Sequence, residues 1–229
     1  MSNCSSASGG WVCADAVAVM QAVESQTLIL YHTDLRGEWP RAAAGALGAR
    51  LPYGKRLATR ADSPAARASL AGIALALRAL RALSGRAVAP GEMVFAQGAK
   101  PRLAHGCTAR AAQTDERRAL GPDFSISHSG PWVGCAAVGC GRVGFDVEMG
   151  SGERIATFVA REAALKACGA GIGAWREVRL SGARASCRGE LLYAHALRLF
   201  AGAAACVMTS FAAPELTVRA LSLEELFAP

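Results

Sequence analysis

The sequence predicts an α+β fold, on three observations. A long helix with apolar periodicity is marked out between Ser63 and Gly85. A meander of short strands runs from Phe124 to Val147. Further strand-like segments follow Gly171, so both halves of the chain are rich in strands.

Met1 to Gly10 is Ser/Gly-rich and expected to be disordered. Val12 to Leu30 has mixed periodicity, with an early strand at Thr27 to His32. Glu38 to Arg50 reads as a short helix or loop. Ser63-Pro64 supplies an N-cap and a favourable first helical residue. That helix runs to Leu83 and stops at Ser84-Gly85. Its apolar side is Leu70, Ile73, Ala74, Leu77 and Leu80. Arg67 lies near its N-terminus, where backbone N–H groups also favour anions.

Ala104 to Leu120 is polar and reads as a surface loop or short helix. Strands follow at Phe124 to Ile126, Trp132 to Ala137 and Val143 to Val147, with a turn at Gly139 to Arg142. Ser151 is placed to cap the next helix, with Glu153 in its first turn, and Gly169 and Gly171 end it. The strands expected after that are Trp175 to Leu180, Leu191 to Phe200, Ala204 to Phe211 and Thr217 to Leu223. Their expected role is to form a second sheet and bury the back of the helix. His195 reads as a core or edge histidine.

At 229 residues the chain is long enough to bury a core. Its net charge of +7 favours acidic partners. The arginines are spread along the chain and no nucleic-acid-binding motif is present, so nucleic acid is not expected as a partner. The eight cysteines show no CxxC or disulfide spacing, which suits a reducing cytoplasm. Cys135 and Cys140 read as small core residues. The Ala/Leu-rich run from Ala65 to Leu83 carries Arg67, Arg78 and Arg81, so no membrane span is expected.

The chemistry concentrates in Phe124 to Lys166. Asp146 and Glu148 alternate with Phe145 and Val147, so both acids face one side of a strand. On the following helix, Ile155, Phe158, Val159, Glu162 and Lys166 fall on the stripe that normally meets the core. Buried charges are costly unless paired or bound to a metal. Taken alone, Glu162 and Lys166 could be an ordinary helix pair. With two acids just upstream, three carboxylates and a lysine suit a hard divalent cation holding a phosphate ester. His128, between Ser127 and Ser129, reads as part of a phosphate cradle. Only three lysines occur, Lys55, Lys100 and Lys166, among many arginines. Keeping lysine at 100 and 166 suggests a need for compact charges there, and Lys55 beside Arg56 could join the same basic rim.

These motifs resemble the 4′-phosphopantetheinyl transferases, in particular the larger surfactin-synthetase type. The resemblance rests on SISHSG, GFDVE and REAALK in that order, with GAKP (Gly98 to Pro101) upstream. LSLEELF (Leu221 to Phe227) resembles the family's closing strand and acidic turn. It spans about Leu51 to the C-terminus. Phe158 and Arg161 stand where the family has Trp and Lys. The segment between Glu148 and Glu162 is much shorter than the family's, and that segment normally helps shape the carrier-protein surface.

The resemblance implies two similar α/β subdomains related by a pseudo-twofold axis. They would be an N-terminal half of residues 11–142 and a C-terminal half of residues 143–229 carrying the metal site, with the active site in the cleft between them. It implies transfer of phosphopantetheine from coenzyme A to a serine of an acidic acyl or peptidyl carrier protein, by a cytoplasmic monomer. Mg²⁺, or alternatively Mn²⁺, would be held by Asp146, Glu148 and Glu162. Glu162 would be the base and Lys166 would stabilise phosphoryl charge. Lys100, Ser127, His128 and Arg67 would bind the coenzyme's 3′-phosphate end. The alternative is a degenerate, non-catalytic relative that still binds coenzyme A or a carrier protein.

Overall fold

A computed structural model describes residues 26–52, 63–96, 99–104 and 121–228. Met1 to Gly10, Lys55, Arg56, Gly98 and most of Ala104 to Leu120 lie outside the described residues.

The first strand, β1, is Thr27–Asp34. The Glu38 to Arg50 region forms α1, Arg41–Ala49. The long helix is α2, Pro64–Ser84. The Ser63 hydroxyl accepts from Ala66 N, and Gly85 ends the helix in the left-handed conformation at φ +68°. Leu70, Ile73, Ala74 and Leu80 are buried, as the periodicity predicts, and Leu77 packs beside them.

Two short strands follow, β2 (Met93–Val94) and β3 (Arg102–Leu103). Strands β4 (Asp123–Ser129) and β5 (Trp132–Val138) pair as a hairpin, while β6 (Val143–Met149) pairs with neither and enters a different sheet, so the expected three-strand meander does not form. Helix α3 is Glu153–Ala167. The remaining strands are β7 (Arg179–Ser181), β8 (Arg184–Cys187), β9 (Glu190–Leu197), β10 (Ala203–Thr209) and β11 (Glu215–Ala220). A last short helix, α4, is Leu223–Phe227.

The strands form two main sheets, ordered β11-β1-β5-β4 and β6-β10-β9-β8-β7. Three apolar clusters lie between the layers. One joins α2 to the first sheet through Leu70, Leu75, Phe124 and Val133. A second joins the sheets through Leu28, Leu30, Phe145, Val147 and Val207. The third joins α3 to the second sheet through Val159, Ala163, Leu192 and Met208. The layers therefore stack as helix, sheet, sheet, helix, a mixed α+β arrangement.

Several expectations are corrected here. Trp175 lies in a 3₁₀ helix, Ile172–Glu177, and only Arg179–Ser181 continues as strand. An unforeseen hairpin strand, β8, follows the Gly182 turn. The last strand does not join the second sheet, because β11 pairs in parallel with β1. The LEELF segment after it is helical, since Ser222 and Glu225 make a reciprocal capping box. Ser151 does not cap α3. Gly152 holds that position at φ +94° without a side-chain hydrogen bond. Phe158 is 40% exposed, so the buried stripe of α3 is Val159, Ala163 and Ala167. Cys135 is buried but Cys140 is exposed.

Gly144 sets how closely α3 approaches the second sheet. A Cβ there would lie 1.8 Å from the Ala163 carbonyl oxygen and 2.5 Å from Ala167 N. Both are backbone atoms of α3, so only glycine permits the contact. Gly144→Ala is expected to lower stability by about 3 kcal/mol or to prevent folding. Urea denaturation checks this, and an unchanged midpoint would show that the helix can shift away freely.

Candidate active site at the β4–β6 seam

Strands β4 and β6 are edge strands of different sheets, and no backbone ladder joins them. Alternate side chains of β4 do so instead. Asp123 Oδ2 accepts from Val143 N at 2.8 Å, and Ser125 Oγ accepts from Phe145 N at 2.9 Å. Ser127 Oγ donates to Asp146 Oδ1 at 2.7 Å. Ser129 Oγ accepts from Met149 N at 3.1 Å and donates to Glu148 Oε1 at 2.9 Å. Period-two geometry puts all four β4 residues on one face, which is why a single strand can make the whole seam.

Asp146 is 5% exposed. Besides Ser127, it pairs with Lys166 Nζ at 2.7 Å, and Lys166 also donates to Ser127 Oγ at 3.0 Å. This triangle joins β4, β6 and α3. The close packing at Gly144 and the short turn through Gly150 and Gly152 bring α3 back along β6. The thirteen residues from Met149 to Arg161 are therefore enough to return Glu162 and Lys166 to the Asp146 side.

Glu162 lies one helical turn before Lys166. Burial pushes its carboxyl above the usual range, and the charge of Asp146 adds to this while Lys166 opposes it. No hydrogen-bond donor reaches Glu162 among the described residues. Asp146 Oδ2 and Glu148 Oε2 are likewise without a protein donor among the described residues. These all-oxygen donors, with more negative than positive charge, have the chemistry of a hard-cation site. They are not yet gathered as one: among the described residues, no three His, Cys, Asp or Glu side chains are placed to hold a metal ion.

The other expected binding residues are dispersed. His128 alternates with Ser127, so the two side chains leave β4 on opposite faces. The His128 face also carries Ile126, which packs towards Gly72 of α2. His128 is exposed, yet the surrounding protein removes enough water to hold its imidazole below the usual range. Lys166 contributes to that lowering, and Asp146 opposes it. At neutral pH His128 is therefore an uncharged hydrogen-bonding group.

Lys100 sits at the other end of the seam. It pairs with Asp123 at 2.5 Å and donates to the Val143 carbonyl at 2.6 Å, with its side chain 12% exposed. Asp123 and His128 are five residues apart on β4, about 16 Å along an extended strand. Lys100 and His128 are thus not brought together. Arg67 donates to the Leu35 carbonyl at 3.1 Å and lies 4.8 Å over the Trp39 ring. No contact joins it to Asp146, Ser127 or Lys166. His195 bonds Thr209 Oγ1 at 2.9 Å between β9 and β10; it is half-buried on an inner strand of the second sheet, not at an edge.

The sequence reading missed Asp123 and Ser125, and it placed Ser129 in a phosphate cradle where the structure has it bonding Glu148 and Met149 N. The available signal was the alternation in DFSISHS, which puts Asp123, Ser125, Ser127 and Ser129 on one face of the strand. It also missed Trp175, whose ring lies 5.3 Å from that of Phe158. No family model matches this chain, and no curated protein matches it in sequence. Among the described residues, no helix is long and apolar enough to cross a membrane.

The raised Glu162 carboxyl has a consequence for stability. Its ionised form is disfavoured in the folded chain, so at pH 7 it costs stability. That cost shrinks as pH falls through the raised native value, and vanishes below the ordinary value of 4.5, where both states are protonated. Glu162→Gln is therefore expected to be more stable than the wild type at pH 7 and equal to it below about pH 4. Thermal denaturation across this range checks the crossover. A variant less stable at pH 7 would contradict it.

Proposed function

We propose that this chain transfers 4′-phosphopantetheine from coenzyme A to a serine hydroxyl of an acyl or peptidyl carrier protein, releasing adenosine 3′,5′-bisphosphate. The observation that carries the reading is the convergence of Asp146, Ser127 and Lys166 from three elements, with a proton-seeking Glu162 beside them. The ordered motifs that resemble the 4′-phosphopantetheinyl transferases supply the reaction class. Two similar subdomains related by a pseudo-twofold axis, residues 11–142 and 143–229, belong to the same proposal.

Asp146, Glu148 and Glu162 are the residues that would hold Mg²⁺ or Mn²⁺, whose charge would offset that of the coenzyme pyrophosphate. The protein's own groups have distinct roles. Glu162 accepts the proton of the attacking serine hydroxyl, a task suited by a carboxyl whose affinity for protons is raised. The serine oxygen bonds to the phosphorus that bears pantetheine, and the bond from that phosphorus to the nucleotide breaks. Lys166 Nζ offers a compact positive charge to the phosphoryl oxygens. Ser127 holds Lys166 and Asp146 in position. His128, neutral and exposed, donates to the 3′-phosphate. Lys100 and Arg67 would have to leave their present partners to contribute.

The test is mass spectrometry of a panel of apo carrier proteins after incubation with the chain, coenzyme A and Mg²⁺. The expected product is a carrier heavier by one phosphopantetheine. Asp146→Asn and Lys166→Met are each expected to lower turnover at least about 100-fold. Glu162→Gln is expected to cost about 10²- to 10⁴-fold. Full activity in any of the three would refute its assigned role. Separately, Mg²⁺ should raise the melting midpoint of the wild type but not of Asp146→Asn, because only a protein that binds the ion is stabilised by it. If coenzyme A binds but no carrier is ever modified, the chain is a binder of these ligands and not a transferase.

A further inference from the structure

Strand β11 bounds the first sheet on one side, and every one of its residues is exposed. Among the described residues nothing pairs with its outer edge. Glu215 N donates to the Gln26 carbonyl at 3.1 Å, and Leu221 N donates to the His32 carbonyl at 2.9 Å. The odd-numbered residues of β11 therefore turn their peptide groups towards β1. By the alternation of a strand, Leu216, Val218 and Ala220 turn theirs outwards. Pro214, which has no N–H, ends this free edge.

The side chains alternate as well. Leu216 and Val218 are in register with Leu28 and Leu30, whose side chains fill the space between the sheets. They share that face, yet Leu216 is 41% exposed and Val218 is 37% exposed. Glu215, Thr217 and Arg219 lie on the opposite face, where Arg219 reaches Glu225 of α4 at 3.4 Å. An edge that offers outward backbone groups and exposed apolar side chains is a template for another strand.

The order of residues from Glu215 to Arg219 selects which strand. Laid antiparallel on a second copy of itself about Thr217, the segment sets Glu215 opposite the partner's Arg219. Leu216 falls opposite the partner's Val218, and Thr217 opposite the partner's Thr217. Opposite charges and apolar side chains are the favourable cross-strand pairs, and the symmetry makes each unlike pair occur twice. Leu216 and Val218 are the residues with outward peptide groups, so this register also matches donors to acceptors. A one-residue slip would set outward groups against inward ones. Centring the pairing on Glu215 or on Arg219 would set like charges opposite one another.

We infer that two copies of this chain associate through β11, antiparallel about Thr217, and join their first sheets across a two-fold axis. The inference does not rest on the proposed reaction, and it replaces the monomer that the resemblance implies. The Arg219–Glu225 pair is exposed on both sides, so solvent screening makes it a weak competitor for Arg219. Five paired residues bury less than the ~1,200 Å² of a stable interface, so the dimer is a weak one with a Kd of about 10 to 100 μM.

The experiment is sedimentation velocity of the full chain from about 1 to about 500 μM, a range that brackets that Kd. The wild type is expected to pass from monomer to dimer. Glu215→Arg and Arg219→Glu each set like charges opposite at two places, and each is expected to weaken dimerisation about tenfold. The double exchange restores opposite charges and is expected to return Kd to within about threefold of the wild type. Thr217→Cys sets two thiols opposite each other at a non-hydrogen-bonded position, where a Cα separation of about 4.5 Å is within disulfide reach. Oxidation with glutathione disulfide is expected to link this variant through position 217 of both copies, as mapped by mass spectrometry. The wild type, with its own exposed Cys140, is the control and is expected to show no such link. A monomer throughout the concentration range would overturn the inference. So would a dimer that neither charge variant weakens, because its contacts would then lie elsewhere. Single variants that weaken the dimer, with neither recovery in the double exchange nor a link at position 217, would also overturn it.

Discussion

The structure depends on a seam made by side chains where a β-sheet would use backbone. Edge strands β4 and β6 meet without a ladder, and Asp123, Ser125, Ser127 and Ser129 supply the missing partners. Val143 N, Phe145 N and Met149 N would otherwise be unpaired donors at the join of two sheets. Buried unpaired backbone groups cost about 1–3 kcal/mol each, so these short polar side chains do what neighbouring backbone does elsewhere. Larger residues at these positions would push the strands apart.

The same geometry places charge in the interior. Asp146 comes inwards because it alternates with Phe145 and Val147, which fill the space between the sheets. Once inside, its carboxylate needs donors, and Ser127 and Lys166 provide them from two other elements. Such a buried ion pair is a weak source of net stability, but losing one partner is expensive. The arrangement therefore fixes the mutual position of β4, β6 and α3 more than it strengthens the fold. Glu162 is left without a donor and with a neighbouring negative charge. That local imbalance is what a divalent cation, or a proton taken from a hydroxyl, would relieve. Lys100 has a comparable part at the other end, where it ties Asp123 to the first carbonyl of β6.

Much of this was legible in the sequence. Ser63-Pro64 and Gly85 bounded the long helix because capping is local chemistry. Asp146, Glu148, Glu162 and Lys166 stood out because strand and helix periods place them relative to apolar neighbours. Three features were not legible, for separate reasons. The return of β11 to the first sheet is a long-range pairing with β1 that no local pattern specifies. The exposure of Phe158 depends on which elements pack over the first turns of α3, and only Trp175 is seen to meet its ring among the described residues. The engagement of Lys100 with Asp123, away from His128, follows from the length of β4 and not from residue type.

The account is tested most directly by a double-mutant cycle on Asp146 and Lys166. Urea unfolding of the wild type, Asp146→Asn, Lys166→Met and the double variant gives the coupling between the two side chains. A cross-element pair that fixes the seam predicts a coupling of at least about 1 kcal/mol. Additivity within about 0.5 kcal/mol would show that the two groups do not act on one another, and would contradict the account.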